Sequence, residues 1–298
     1  MRLFDLHADT PFRMFAEQLD FSSDKLHISS KHFSCFENYT QVFAVFSDNR
    51  KSDTEVLSDF FSICKYFRRQ LAALDTPPRY CLSLEDARLL CGREENLYAI
   101  KEEGIALMTP LWRGSTHIGG AFDTNEGLTP FGKAVVGRAC NLGIIPDISH
   151  ASPQSADDIL AISSKNGLPC VATHSDSYGV TPHPRNIRDT HFRAIVQSGG
   201  LIGISLAPQH LSLSGTAQIS DILRHIEYGL SLGGEDSLAL GCDLDGVSSL
   251  PCGIRSLGDI HLIAKELAHH YDSKLADKIL YQNAASFFER HQLTIKTP

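Results

Sequence analysis

The sequence predicts an α/β fold, a (β/α)8 TIM-type barrel forming a single domain over residues 1–298. Three observations carry this. Short apolar, β-prone runs alternate with longer segments of helical periodicity. The runs are nearly unbroken in apolar character, as in Ile202-Gly203-Ile204 and Cys170-Val171-Ala172, which suits parallel strands buried on both faces. The length accommodates one barrel with insertions, about 250 residues being typical, and no Pro/Gly/Ser linker, internal repeat or low-complexity tract divides it. A doubly wound open sheet is the structural alternative.

Taken in order, the candidate strands are Arg2–Leu6, Gln41–Phe46, Tyr80–Leu84, Gly104–Thr109, Gly143–Ile148, Leu168–Thr173, Gly200–Ser205 and Ser237–Cys242. Their brevity and Gly/Pro borders decide for strand over buried helix. Between them, Asp53–Leu74 places Val56, Leu57, Phe60, Phe61, Cys64, Phe67 and Leu71 at helical spacing. Ser152-Pro153 offers an N-cap and a proline at the first helical position, followed by Ala156, Ile159, Leu160 and Ile162 on one side. Phe131–Cys140, Ile219–Leu232, Ile260–His270 and Ser273–Phe288 also read as helices.

Hydrophobic residues at 42% and charged residues at 21% exclude a disordered chain. With 27 Lys and Arg against 35 Asp and Glu, and no basic stripe, nucleic acid is not an expected partner. The eight cysteines are dispersed without a C-x-x-C pair and are expected to be mostly buried, reduced thiols. No apolar run approaches the ~18 residues of a membrane span. The opening Met1-Arg2-Leu3-Phe4-Asp5-Leu6-His7 turns acidic before a signal-peptide core could form. A soluble, cytoplasmic protein without membrane contact is expected. The sequence does not decide the oligomeric state, and a homodimer stays open.

Barrel active sites lie at the carboxyl ends of the strands, and metal-type residues stand at those places. His7 and Asp9 follow the first strand, Glu85 the third, His150 the fifth, His174 the sixth and Asp243 the eighth. Singly, each has a bland reading: a capping Asp, a helix-terminal Glu, a hydrogen-bonded core histidine. Together they describe a ring of metal ligands. Imidazoles and carboxylates without Cys suit Zn²⁺, Mn²⁺ or Fe²⁺. Five candidate ligands, His7, Asp9, Glu85, His150 and His174, exceed the three of a typical mononuclear catalytic zinc site. A shared carboxylate bridging two ions about 3.5–4 Å apart resolves the excess and leaves Asp243 as proton carrier.

These motifs resemble the membrane dipeptidase (renal dipeptidase) family, the M19 zinc peptidases of the amidohydrolase-like barrels. The matching pieces run in the family's order: Asp5-Leu6-His7-Ala8-Asp9-Thr10-Pro11, Leu82-Ser83-Leu84-Glu85, Trp112-Arg113-Gly114, Gly127-Leu128-Thr129-Pro130-Phe131-Gly132, Asp147-Ile148-Ser149-His150-Ala151-Ser152, Thr173-His174-Ser175, His183-Pro184-Arg185-Asn186 and Gly241-Cys242-Asp243-Leu244-Asp245-Gly246. The resemblance implies two Zn²⁺ per chain. His7 and Asp9 would bind the first, His150 and His174 the second, and Glu85 would bridge them. It implies Asp243 as catalytic acid/base and Arg185 as the grip on the substrate carboxylate, with Trp112 at a position where some members have a substrate-contacting histidine. The implied reaction is hydrolysis of dipeptides, including those with a C-terminal D-residue, by a metal-bridged hydroxide.

The chain departs from the family at Asp86-Ala87, where Gly-Gly is usual, and at Ser205-Leu206-Ala207, where Asn-Phe-Tyr is frequent. Both changes bear on specificity. Two alternatives are therefore kept: a related hydrolase of lactams, N-acyl amino acids or esters, and a non-catalytic binding protein on the same scaffold. Asp245 is the fallback for the proton carrier, its bland role being to hold the Asp-Gly turn.

Overall fold

The computed structural model describes residues 1–46, 48 and 51–297. Seven parallel strands form one curled sheet: β1 (Arg2–Ala8), β2 (Asn38–Phe46), β3 (Arg79–Glu85), β4 (Ile105–Thr109), β5 (Ile145–Pro146), β6 (Ile202–Ile204) and β7 (Leu238–Leu240). Their spatial order is β5-β4-β3-β2-β1-β7-β6. It lacks the mid-sheet reversal of a doubly wound fold, which removes that alternative. Pairing is in parallel register throughout, for example Gln41↔Tyr80 and Gly203↔Ala239.

The sixth expected strand, Leu168–Thr173, forms only isolated parallel bridges, Asp147↔Val171 on one side and Ala172↔Ile202 on the other. The fifth shortens to two residues. Local polar competition explains the truncation: the amides of Ser149 and Thr173 both donate to Asp147 Oδ1, a side-chain acceptor in place of a neighbouring carbonyl.

The helices are α1 (Thr10–Glu17), α2 (Asp53–Ala72), α3 (Asn96–Glu102), α4 (Pro130–Asn141), α5 (Pro153–Lys165), α6 (Asp189–Gln197), α7 (Pro208–Leu211), α8 (Ile219–Ser231), α9 (His261–His270), α10 (Ser273–Asp277) and α11 (Asn283–Arg290). At α5 the Ser152 hydroxyl accepts the Ser155 amide, as the Ser-Pro pair predicts. The single helix expected over Ser273–Phe288 is instead α10 and α11 joined by a π-helical turn at Lys278–Gln282. Among the described residues, α1, α3, α6 and α7 have no counterpart in the sequence reading.

Two apolar cores follow from strand alternation. Phe4, Leu6, Val42, Cys81, Leu107, Ile145, Val171, Leu201 and Ala239 converge on the concave face of the sheet, where Phe287 and Phe288 of α11 pack against them. Leu3, Phe43, Leu82 and Met108 point the other way, into the layer shared with the helices. All eight cysteines are free, with only Cys35 and Cys252 exposed.

Candidate active site

A bulge in β1 brings the first candidate ligands into the site. Phe4 and Leu6 face the concave core, so strict alternation would turn His7 outward. Pairing with β2 shifts between Asp5↔Gln41 and Ala8↔Phe43, which inserts one extra residue in β1. Ala8 then joins the outer core, and His7 turns inward. The buried Asp5 carboxylate supports this irregularity: its Oδ1 accepts the amides of His7 and Cys242.

Glu85 ends β3 on the face shared with Cys81. His150 and Asp243 close their strand-end turns with φ of 66° and 57°, the left-handed region that side-chain-bearing residues rarely occupy. Gly246 makes room beside them, since a Cβ there would collide with Asp9 Oδ2 and Asp243 Oδ1.

The ligand candidates meet. His7 Nε2 lies 3.0 Å from Glu85 Oε2 and 3.8 Å from Asp9 Oδ2. His150 Nε2 lies 2.9 Å from Glu85 Oε1 and 2.9 Å from His174 Nε2. Their tautomers follow from the other ring nitrogens. His150 Nδ1 faces the Trp112 carbonyl at 3.0 Å and must donate to it. His174 Nδ1 is 2.9 Å from Thr173 Oγ1, whose proton goes to Asp147, so His174 Nδ1 donates as well. Both Nε2 atoms therefore carry lone pairs, aimed at each other and at a carboxylate. His7 Nε2, Glu85 Oε2 and Asp9 Oδ1 are buried without a hydrogen bond. Converging lone pairs and buried oxygens without an aligned hydrogen bond, with each His150 and His174 Nδ1–H anchored, fit a cation-binding site. His7, Glu85 and His174 form one group able to hold an ion, and His7, Asp9 and Asp243 another.

Asp147 anchors this arrangement from behind. It accepts the hydroxyls of Thr109 (2.8 Å) and Thr173 and the amides of Ser149 and Thr173. Asp245 plays a different part. It is fully occupied by Thr10 Oγ1, Arg13 Nη1 and the amides of His27 and Ile28, so it ties the site loop to α1 and leaves no free oxygen for proton transfer.

Electrostatics reflect the crowding. Burial, and then Glu85, push Asp9 up to about 6. Burial raises Asp243 well above the carboxylate range; His7 opposes this while Asp9 and Glu85 reinforce it. Burial would raise Glu85 too, but His7 and His150 outweigh it and hold it low. Burial, then His7 and His150, push His174 well below the usual imidazole range.

Above the ligands opens a cavity of about 450 Å³ whose walls include Trp112, Phe122, His183, Arg185, His210 and Asp243. Arg185 is 7% exposed, and its guanidinium lies 5.5 Å over the Phe122 ring. Among the described residues it makes no ion pair. Its loop is held by Asn186, which donates to the carbonyls of Thr181 (2.9 Å) and His210 (2.8 Å). Trp112 packs edge-on against Phe46 at 4.7 Å.

The structure thus brings His7, Asp9, Glu85, Trp112, His150, His174, Arg185 and Asp243 together, and turns the Asp245 carboxylate towards α1. The sequence reading gave no separate role to Asp5, Asp147 and Gly246, which sit inside its own motifs. It also missed Phe122 and His210, which carry no local signal. Burial, then Arg185, push His210 down to about 2, so it faces the cavity as a neutral imidazole.

A family model described as membrane dipeptidase (peptidase family M19) matches residues 1–296. An uncharacterized protein in the pqqA 5′ region of Klebsiella pneumoniae is 32% identical over 216 residues, covering 67% of this chain and 77% of that protein. A solved structure described as the dipeptidase AC, a metallopeptidase of family M19, superposes with a TM-score of 0.91 at 22% identity, covering 99% of each chain. A metallopeptidase from Rhodobacter sphaeroides, bound to a phosphinate mimic of L-Ala-D-Ala, gives 0.88 at 22% identity, covering 98% of this chain and 99% of that one.

Proposed function

Because the chain belongs to the membrane dipeptidase family, peptidase family M19, and is a metal-dependent dipeptidase, we propose that it holds two zinc ions and cleaves dipeptides of either C-terminal configuration. His7 and Asp9 would hold one ion, His150 and His174 the other, with Glu85 between them. The observation that carries this is the 2.9 Å approach of two lone-pair-bearing Nε2 atoms, His150 and His174, beside the Glu85 carboxylate. Ions held by these residues would supply an acidified water and a Lewis acid for the scissile carbonyl.

The chain's own groups supply the rest. Asp243, close beside His7 and Asp9, would accept the proton of the attacking water and return it to the leaving amine. Arg185, buried and without a carboxylate partner among the described residues, grips the substrate's terminal carboxylate through its bidentate fork. This grip reads the carboxylate and not the configuration at Cα, which admits D-residues; the L-Ala-D-Ala mimic bound by the Rhodobacter neighbour is consistent with that. Trp112 serves as a wall for the substrate while its carbonyl orients His150. We also infer that segment 168–173 closes the sheet into an eight-membered barrel. Its backbone bonds point both ways, Val171 N to Pro146 O at 3.0 Å and Ala172 N to Leu201 O at 2.9 Å.

The test is hydrolysis of L-Ala-L-Ala, L-Ala-D-Ala and their C-terminal amides by zinc-loaded protein. Both free dipeptides should be cleaved. The amides should lose about 10- to 150-fold in kcat/KM, the worth of one charged hydrogen bond. Equal rates for free and amidated substrates would remove the carboxylate grip and favour a lactam or N-acyl substrate.

A further inference from the structure

A second cavity, of about 340 Å³, shares the Phe122 and Arg185 walls with the cavity over the metal ligands and touches none of those ligands. A dipeptide whose terminal carboxylate rests on Arg185 has its C-terminal Cα beside this shared wall. A side chain on that Cα is then within reach of the second cavity.

The charges lining this space are unevenly matched. Asp123 is engaged by Arg113 at 3.4 Å and by the Gly114 amide at 2.7 Å. His191 is paired with Asp157 at 3.0 Å. Arg188 makes no ion pair among the described residues, and its guanidinium is held over the Tyr178 ring at 5.7 Å. Pro153 and Ala156, in the first turn of α5, also line the space and add the positive end of a thirteen-residue helix. With Arg185 committed to the terminal carboxylate, Arg188 is the remaining unpaired cation.

We propose that this cavity receives the side chain of the dipeptide's C-terminal residue and selects an acidic one, Asp or Glu, through Arg188. The proposal rests on the dipeptidase reading of the same site and names its substrate class.

The test compares kcat/KM for Ala-Glu and Ala-Gln, which differ by one charge at nearly constant shape, with Ala-Ala as reference. Wild-type, Arg188→Gln and Arg188→Glu proteins are assayed zinc-loaded. The Glu-to-Gln ratio should be about 5 in the wild type, the upper end for a solvent-accessible pair. It should fall towards 1 in Arg188→Gln, fall further in Arg188→Glu, and shrink with salt in the wild type. Arg188 is exposed, so the fold should tolerate both changes, and unchanged thermal melting confirms it. A wild-type ratio near 1, or a ratio that neither substitution moves, overturns the acidic subsite while Ala-Ala cleavage leaves the dipeptidase reading standing. Failure to cleave all three dipeptides overturns that reading and the subsite with it.

Discussion

Asp243 is the residue whose role is most sharply separable from its neighbours'. It sits within ion-holding distance of His7 and Asp9, yet the reading assigns it proton transfer. Asp243→Asn preserves size and the left-handed turn, a conformation asparagine tolerates, and removes the proton-carrying function. Turnover should fall by about 10²–10⁴-fold with metal content unchanged by elemental analysis. Near-normal kcat with both ions retained would take Asp243 out of the mechanism. Asp245 is no substitute, because four donors already occupy its carboxylate.

At the scale of the element, the β1 bulge decides whether the first two candidate ligands, His7 and Asp9, face inward. Asp5 Oδ1 holds the His7 and Cys242 amides. Asp5→Leu removes both bonds and should destabilise the fold by about 1–3 kcal/mol, the cost of leaving buried donors unsatisfied. It should also weaken zinc binding, although Asp5 is assigned to neither ion. Isothermal titration of the metal-free variant measures this, and unaltered affinity would mean that the bulge stands without Asp5. The same element shows what could be read from sequence. That the candidate ligands after β1, β3 and β5 lie close together was legible because a barrel collects strand ends on one face, so position along the chain stands in for position in space. The bulge was not legible, because it depends on pairing between strands 36 residues apart, as in Asp5↔Gln41. Leu168–Thr173 was legible as an apolar run, but its loss of regular strand geometry comes from Asp147 capturing nearby amides. His210 and Phe122 reach the cavity only through loop folding, for which spacing gives no rule.

For the whole molecule, stability should depend on pH through buried histidines. His225 Nδ1 accepts the Ser177 amide at 3.0 Å, and its Nε2 faces the Leu211 carbonyl at 3.2 Å, an arrangement that requires the neutral ring. Burial pushes its pKa down to about 4. The folded state thus disfavours the proton that the unfolded chain binds near pH 6.5. The contribution is fully present above about pH 6.5 and is lost as pH falls towards 4, up to about 3 kcal/mol. His225→Asn should flatten the fall in melting temperature over that window, and an unchanged pH profile would contradict the assignment. Among the described residues, no helix is long and apolar enough to cross a membrane.

Metal-dependent dipeptide cleavage at a two-ion site is best tested by titrating chelator-stripped protein with zinc while following L-Ala-D-Ala hydrolysis. We expect no activity without metal and a rise that reaches its plateau at about two equivalents per chain. A plateau at one equivalent would contradict the bridged pair, and two bound ions without hydrolysis of the dipeptide would contradict the proposed L,D-dipeptide activity.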